Sequence, residues 1–311
     1  MFLSFKGKIG NIIIKDHSIR YVELKQSLPN VLQKCEERLL PPGLIKDGKI
    51  ENAETLAMIL DECVSDWGIK GRKVRFTVPD SHVVIRKVTV PADLKPDELR
   101  GHLYLEIGSS IHLPFEEVVF DYVVLKQNAK GQDLLLFASS EELVTEYSNL
   151  FEDAHLKPIT ADISTLCYFR LFKQQQLIQN NKTTLFIQFD LFSENLSIFQ
   201  DQNPVFMKNR SNEDSDEDSK ETFSLRLNDV IKEIDHVINF YKFTLNNGTD
   251  EVKQFILSGD HPLITTVYEE LKGNLNENVQ LIPEEVGYLP DKTPIPRTFH
   301  LATGLALKEV H

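Results

Sequence analysis

One succession of elements is written twice along this chain of 311 residues, and that repetition constrains the fold more than any single motif. Residues 9–14 form an apolar run. Residues 19–24 alternate Ile19, Tyr21 and Glu23 against Arg20, Val22 and Leu24, with Asp16 and His17 between the two runs, which reads as a hairpin. Residues 31–39 alternate more raggedly, as a third strand. Three short strands return at residues 185–189, 195–199 and 204–208. A helix and further strand follow each set. Asn52 opens the first helix, with Leu56, Ile59, Leu60, Cys63 and Trp67 on one stripe and Gly68 at its end, and residues 74–78 are rich in β-branched side chains. The second helix carries Phe223, Leu227, Val230, Ile231, Ile234, Val237, Ile238 and Tyr241 and stops at Asn246-Asn247-Gly248, before apolar strands at 254–257 and 279–282. Mixed sheets with helices packed on them are implied. The two halves share element order more than residues, and there is no solenoid period.

Between the halves lies a different pattern. Pro79-Asp80-Ser81 turns into a strand at 83–90. Pro96 suits the first turn of a helix carrying Leu99, Leu103 and Ile107, and strands follow at 118–125 and 134–138. Ser139 with Glu142 has the spacing of a capping box, opening a helix that turns Leu143, Val144, Tyr147, Leu150 and Phe151 to the core.

A net charge of −13 argues against nucleic acid as a partner, since phosphate neutralisation requires a basic surface. Part of that charge is local: residues 213–218 hold five acidic side chains and no apolar one, the mark of a solvated loop. No run of eighteen uncharged apolar residues exists to span a bilayer. Lys6 and Lys8 precede any apolar core, without a cleavage site, so no signal peptide is expected. Cys35, Cys63 and Cys167 are scattered and match neither a disulfide framework nor a zinc site. The chain reads as soluble and cytosolic.

Motifs suggestive of chemistry fail in context. Residues 43–49, GLIKDGK, resemble a phosphate loop, yet Ile50 stands where a Mg²⁺-binding hydroxyl belongs and two prolines precede it. His102 and Glu106 share a helix face without further metal ligands. There is no nucleophile elbow, and no catalytic residue is assigned.

Several phrases do fit one family together. Arg20-Tyr21-Val22-Glu23-Leu24, then Leu40-Pro41-Pro42-Gly43-Leu44-Ile45, Asp47-Gly48 and Ile50, then Leu113-Pro114-Phe115, Glu117-Val118 and Asp121-Tyr122 occur in order. Leu156-Lys157-Pro158, Asp162, Leu257-Ser258-Gly259 and Gly304-Leu305-Ala306-Leu307 continue the series. Together they resemble the PilM family, actin-like proteins of type IV pilus and competence-pilus assembly. The resemblance implies an α/β, two-lobed actin-like ATPase (RNase H-like) fold with an FtsA-type inserted subdomain and a reduced second lobe. On this scheme residues 1–78, with 155–178 and 295–311, make the first lobe, 79–154 the insert, and 179–294 the second lobe. It further implies a cytoplasmic protein held at the inner face of the membrane through a partner. That partner is the cytoplasmic N-terminal peptide of a PilN-like membrane protein, bound between first lobe and insert. The expected surface comprises residues 83–90, the helix 94–107 and the neighbouring first lobe. The pilus assembly ATPase is a second implied partner.

Many relatives implied by this resemblance bind ATP, and here this sequence departs. Ser18, Arg20, Asp190, Ser258 and Gly259 match nucleotide-side positions. Ile13, however, stands for the metal-side aspartate and Lys15 for a phosphate-facing glycine. Phe192 replaces a second loop glycine, and Asp260 adds an anion. The expectation is a pseudo-ATPase scaffold with no metal and no cofactor, ATP remaining possible. Two alternatives stay open: an ATP-binding actin-like ATPase of the same machine, and an FtsA-like division protein, for which residues 305–311 provide little membrane-lying helix.

Overall fold

Ile12, Ile13 and Ile14 occupy a strand covered on both faces. Ile12 and Ile14 pack with Leu56, Leu60 and Phe151, and Ile13 packs with Cys167, Leu171 and Leu305. An unbroken apolar run is what a doubly buried strand requires. The computed structural model describes residues 9–27, 30–128, 131–179, 182–212, 220–275 and 279–309; the acidic run 213–218 lies outside the described residues.

The doubly covered strand is β1 (Gly10–Lys15), central in a five-stranded sheet. It pairs antiparallel with β2 (Ser18–Ser27), which pairs antiparallel with β3 (Asn30–Leu39). A small hairpin of β4 (Ile45–Lys46) and β5 (Lys49–Ile50) leads into α1 (Ala53–Asp66), capped by Asn52. β6 (Lys73–Thr77) then lies parallel to β1.

A separate antiparallel sheet of order β7-β9-β8 follows, from β7 (Val83–Val90), β8 (Val118–Asn128) and β9 (Gly131–Ser140). α2 (Leu99–Glu106) covers one face, with Leu99 and Leu103 against Leu134, Leu136 and Phe120. α3 (Glu141–Asp153) follows β9, but its Leu143, Tyr147, Leu150 and Phe151 belong to the core of the first sheet. So although 79–154 was expected to form the insert, the third sheet and α2 have their own cluster and α3 does not share it. The cap of α3 is Ser140, whose hydroxyl accepts from the Leu143 amide; Ser139, expected there, is buried in β9 with no partner for its hydroxyl.

β10 (Lys157–Asp162) returns to the first sheet beside β6, giving the order β10-β6-β1-β2-β3. After α4 (Ser164–Gln174) comes the second sheet, of β11 (Thr183–Phe189), β12 (Ser193–Gln200), β13 (Asn203–Ser211), β14 (Val252–Ser258) and β15 (Val279–Leu281). Its order, β13-β12-β11-β14-β15, repeats the first: an antiparallel meander, then parallel strands beyond its founding strand. α5 (Lys220–Asn239) and α6 (Ile264–Asn274) cover its outer face through Leu227, Ile234, Val267 and Leu271.

Between the two sheets lie α4 and α7 (His300–Ala306), so Cys167, Tyr168, Leu171, Leu301 and Leu305 share one core with Ile13 and Val22 on one side and Phe186, Phe199 and Ile256 on the other. The helices cross closely at Gly304, where a Cβ would lie 2.2 Å from the Cys167 carbonyl oxygen. The layers therefore run α1/α3, first sheet, α4/α7, second sheet, α5/α6.

Candidate functional site: an interlobe cleft and a groove beside the third sheet

The turn of the β1–β2 hairpin faces the ends of β11 and β14. Parallel pairing puts Gln188 opposite Ser258, so Asp190 and Asp260 emerge side by side. The loop between them is drawn tight: Gly259 has φ +131°, and a Cβ there would sit 2.0 Å from the Phe189 carbonyl oxygen. The Asp260 amide donates to Asp190 Oδ1 (3.0 Å) and the Leu191 amide to Asp260 Oδ1 (3.2 Å).

Lys15 crosses from the first lobe into this pair. Its Nζ lies 2.8 Å from Asp190 Oδ2 and 2.9 Å from Asp260 Oδ2. Arg20 reaches Asp260 through Nη1 and Glu37 Oε1 through Nε (2.6 Å). Burial opposes charge on Lys15, but Asp190 and Asp260 outweigh it and raise its pKa. Burial also pushes Asp260 up, yet Lys15 and Arg20 overcome it and hold the carboxyl well below the ordinary range. Asp190 is raised to about 6, by burial first and then by the Asp260 charge. Burial lowers His17 to about 4, so the ring is neutral, and its 3.7 Å approach to Asp260 is not an ion pair at neutral pH. Its edge meets Phe192, with centroids 5.4 Å apart.

The loop after β11 is fixed from behind by Arg226 of α5. Its guanidinium donates to the Asp190 (2.7 Å) and Leu191 (2.8 Å) carbonyls, binds Glu194, and lies 4.4 Å from the centroid of the Phe189 ring. Gln188 donates to Asp190 Oδ2 (2.6 Å) and Asp80 Oδ2 (3.3 Å), while Ser164 donates to Asp80 Oδ1 (2.5 Å). What remains open in the cleft is about 80 Å³.

Of the residues singled out from sequence, Arg20, Asp190 and Gly259 converge here. Ser258 is buried at the strand end opposite Gln188, and Ser18 is buried in the hairpin with its hydroxyl unpartnered. Asp260 is no bare added anion, because Lys15 and Arg20 both bind it. Sequence reasoning missed the pairing itself, along with Asp80, Gln188 and Arg226. The signal available was opposite charge at positions 15 and 190, at the equivalent hairpin turns of the two halves.

A second, larger space of about 770 Å³ lies between the first lobe and the third sheet. β5 and its end contribute Lys49, Ile50 and Glu51. The segment before β8 contributes Phe115, Glu116 and Glu117, and the start of α3 contributes Glu142 and Glu146. No residue of 83–90 or 94–107, the expected surface, lines it. Residues 43–49 run through β4 and the β4–β5 turn into β5 at its edge, and Asp16 accepts from the Asp47 (2.7 Å) and Gly48 (3.1 Å) amides of that turn.

The family described as "Type IV pilus assembly protein PilM" matches residues 11–213. No curated protein sequence matches this chain. The solved structure described as "PilM-PilN type IV pilus biogenesis complex" is similar at a TM-score of 0.80 and 20% identity, over 96% of this chain and 98% of that one. The ethanolamine utilization protein EutJ from Carboxydothermus hydrogenoformans is similar at 0.52 and 10%, over 96% and 88%. The cytoplasmic domain of EpsL, an inner-membrane component of the Vibrio cholerae type II secretion system, is similar at 0.50 and 11%, over 98% and 97%. These likenesses show the actin-like fold, and no helix among the described residues is long and apolar enough to cross a membrane. Matched over most of its length and built as two copies of one sheet around a shared helical layer, the chain belongs to the PilM family of type IV pilus assembly proteins.

Proposed function

We propose that this protein is a scaffold of type IV pilus or competence-pilus assembly that works by holding another polypeptide, without nucleotide. The observation that carries the proposal is the Lys15 ammonium set between Asp190 and Asp260. An incoming triphosphate needs free donors and, for Mg²⁺, free oxygen ligands. In this cleft the donors of Lys15 and Arg20 are already spent on carboxylates of the same chain. Ile13 is packed in the interlobe core and supplies no oxygen. The open volume of about 80 Å³ is far below the roughly 300–1,000 Å³ of small-molecule pockets. The residues present do not fit ATP with its metal.

The groove of about 770 Å³ does have a ligand's dimensions. It lies between the first lobe and the third sheet, where the family resemblance places the N-terminal peptide of a PilN-like membrane protein, and the similar solved structure is of a complex with PilN. On this reading the protein sits at the cytoplasmic face of the membrane through that partner and passes the connection on to the assembly machinery.

Calorimetry tests both parts. ATP with Mg²⁺ is expected to give no heat at tens of micromolar protein, whereas the partner's N-terminal peptide is expected to bind. Micromolar ATP affinity would restore the ATPase alternative, and absence of peptide binding at tens of micromolar would remove the scaffold.

A further inference from the structure

Five glutamates, Glu51, Glu116, Glu117, Glu142 and Glu146, line the groove beside the third sheet against a single lysine, Lys49. His82, also in the wall, is lowered by burial and stays neutral near pH 7. Some buried acids elsewhere in the molecule are paired, as Asp162 is with Arg170 and Lys308. None of these five carboxylates has an ion-pair partner among the described residues. Glu142 and Glu146 are four apart on α3, a like-charge spacing that destabilises a helix. Burial, and then Glu142, pushes the Glu146 carboxyl up. An incoming cation would relieve the repulsion between Glu142 and Glu146.

The floor is apolar. Ile50 and Phe115 are half-buried, and Leu143 is buried beneath the wall. The carboxylates come from three separate segments and do not converge: among the described residues no three His, Cys, Asp or Glu gather closely enough to hold a metal ion. Spread negative charge over an apolar strip suits an extended polymer bearing its own spaced cations. Nucleic acid and anionic lipid headgroups have the same sign as the wall and are repelled.

We infer that the segment held in this groove is a basic–apolar peptide: an apolar side chain seated on Ile50 and Phe115, flanked by lysine or arginine that pairs with the Glu142–Glu146 and Glu116–Glu117 carboxylates. The inference rests on the groove being the peptide site and adds the chemistry by which it selects its occupant. Rim charges of this kind set association rate and salt dependence as well as affinity.

The probe is a synthetic peptide of the cytoplasmic N-terminal segment of a PilN membrane protein, titrated into the full chain by calorimetry at low and high salt. Hydrogen exchange on the complex locates it independently of charge. Protection over 114–117 and 140–146 is expected. Affinity should fall about tenfold in the doubly substituted Glu142→Gln, Glu146→Gln protein, with a flatter salt dependence, and replacing the peptide's basic residue by glutamine should cause little additional loss in that variant. Both glutamates are on the wall of α3, and circular dichroism confirms that the variant is folded. Protection at the groove with affinity indifferent to salt and to both substitutions would overturn the cationic requirement while leaving the groove as the site. Protection elsewhere, or no binding, would overturn the site and the inference together.

Discussion

The ε-ammonium of Lys15 lies 2.8 Å from the Asp190 carboxylate, joining the first sheet's hairpin to the end of the second sheet's founding strand. Both side chains are largely out of water, at 15% and 3% exposure. Replacing Lys15 by methionine leaves Asp190 without its cation and Asp260 with Arg20 alone. Loss of one partner from a buried pair costs about 3–5 kcal/mol. Urea unfolding is expected to show a loss of that order; a change under 1 kcal/mol would mean that the pair is effectively solvated.

Asp190 has no part in peptide binding on the scaffold reading, because the groove lies at the third sheet, lined by other residues. Asp190→Ala should therefore destabilise the protein while leaving peptide affinity within a factor of two or so of the parent, once folding is accounted for. A loss of affinity in the folded fraction would tie the cleft to the partner.

His300 starts α7 in the layer between the sheets and is 1% exposed. Burial, then Arg297, lowers its pKa from 6.5 to about 3. An imidazole that resists protonation only when folded contributes stability that is complete above pH 6.5 and drains away as pH falls toward 3. Burial lowers His17 and His261 to about 4, and they act in the same direction. Asp190, raised to about 6, acts oppositely and adds stability as pH falls from 6 toward 3.8. His300 can be isolated by comparison. Relative to its own stability at pH 7, His300→Phe should retain about 2 kcal/mol more than the parent at pH 5. Parallel pH profiles would show that the ring is protonated in the folded state.

Ser140 and Ser139 make a paired test of the α3 cap. Ser140→Ala removes the acceptor for the Leu143 amide and should cost about 1 kcal/mol. Ser139→Ala removes a buried hydroxyl that has no partner and should be neutral or slightly stabilising. Thermal melts of the two variants would distinguish them; the reverse order would return the cap to Ser139.

Gly304→Ala brings a methyl to 2.2 Å from the Cys167 carbonyl oxygen, and backbone there cannot swing away as a side chain would. Forced separation of α4 and α7 should cost about 1–3 kcal/mol, read as a lower melting temperature. An unchanged melt would mean that the two helices can part freely.

Strands showed in the sequence where burial leaves a pattern. The hairpin at Asp16 and His17, the meander at 183–211 and the stripe of α5 were all legible because apolar runs or helical spacing mark them. α4 was not, although it is as amphipathic as α5: Ile163 stands at its start with no side-chain cap and Gln175 at its end, so neither a start nor a stop signal marks it. The cleft was half legible. Lys15 and Asp260 each stood out as wrong for a nucleotide loop, but that they answer each other depends on a separation of 245 positions closed by the fold. The groove was missed in detail because its walls come from segments far apart in sequence, β5, the stretch before β8 and α3, which only the fold brings together.

The layer of α4 and α7 has a consequence for how the molecule is made. α7 follows every strand of both sheets in the chain, yet it fills the middle of the stack. Until it is synthesised, Ile13 and Val22 on one side and Phe186 and Ile256 on the other face an unfinished seam. The nascent chain must shelter two half-built sheets during translation, and assembly ends at the centre, with the keystone placed last.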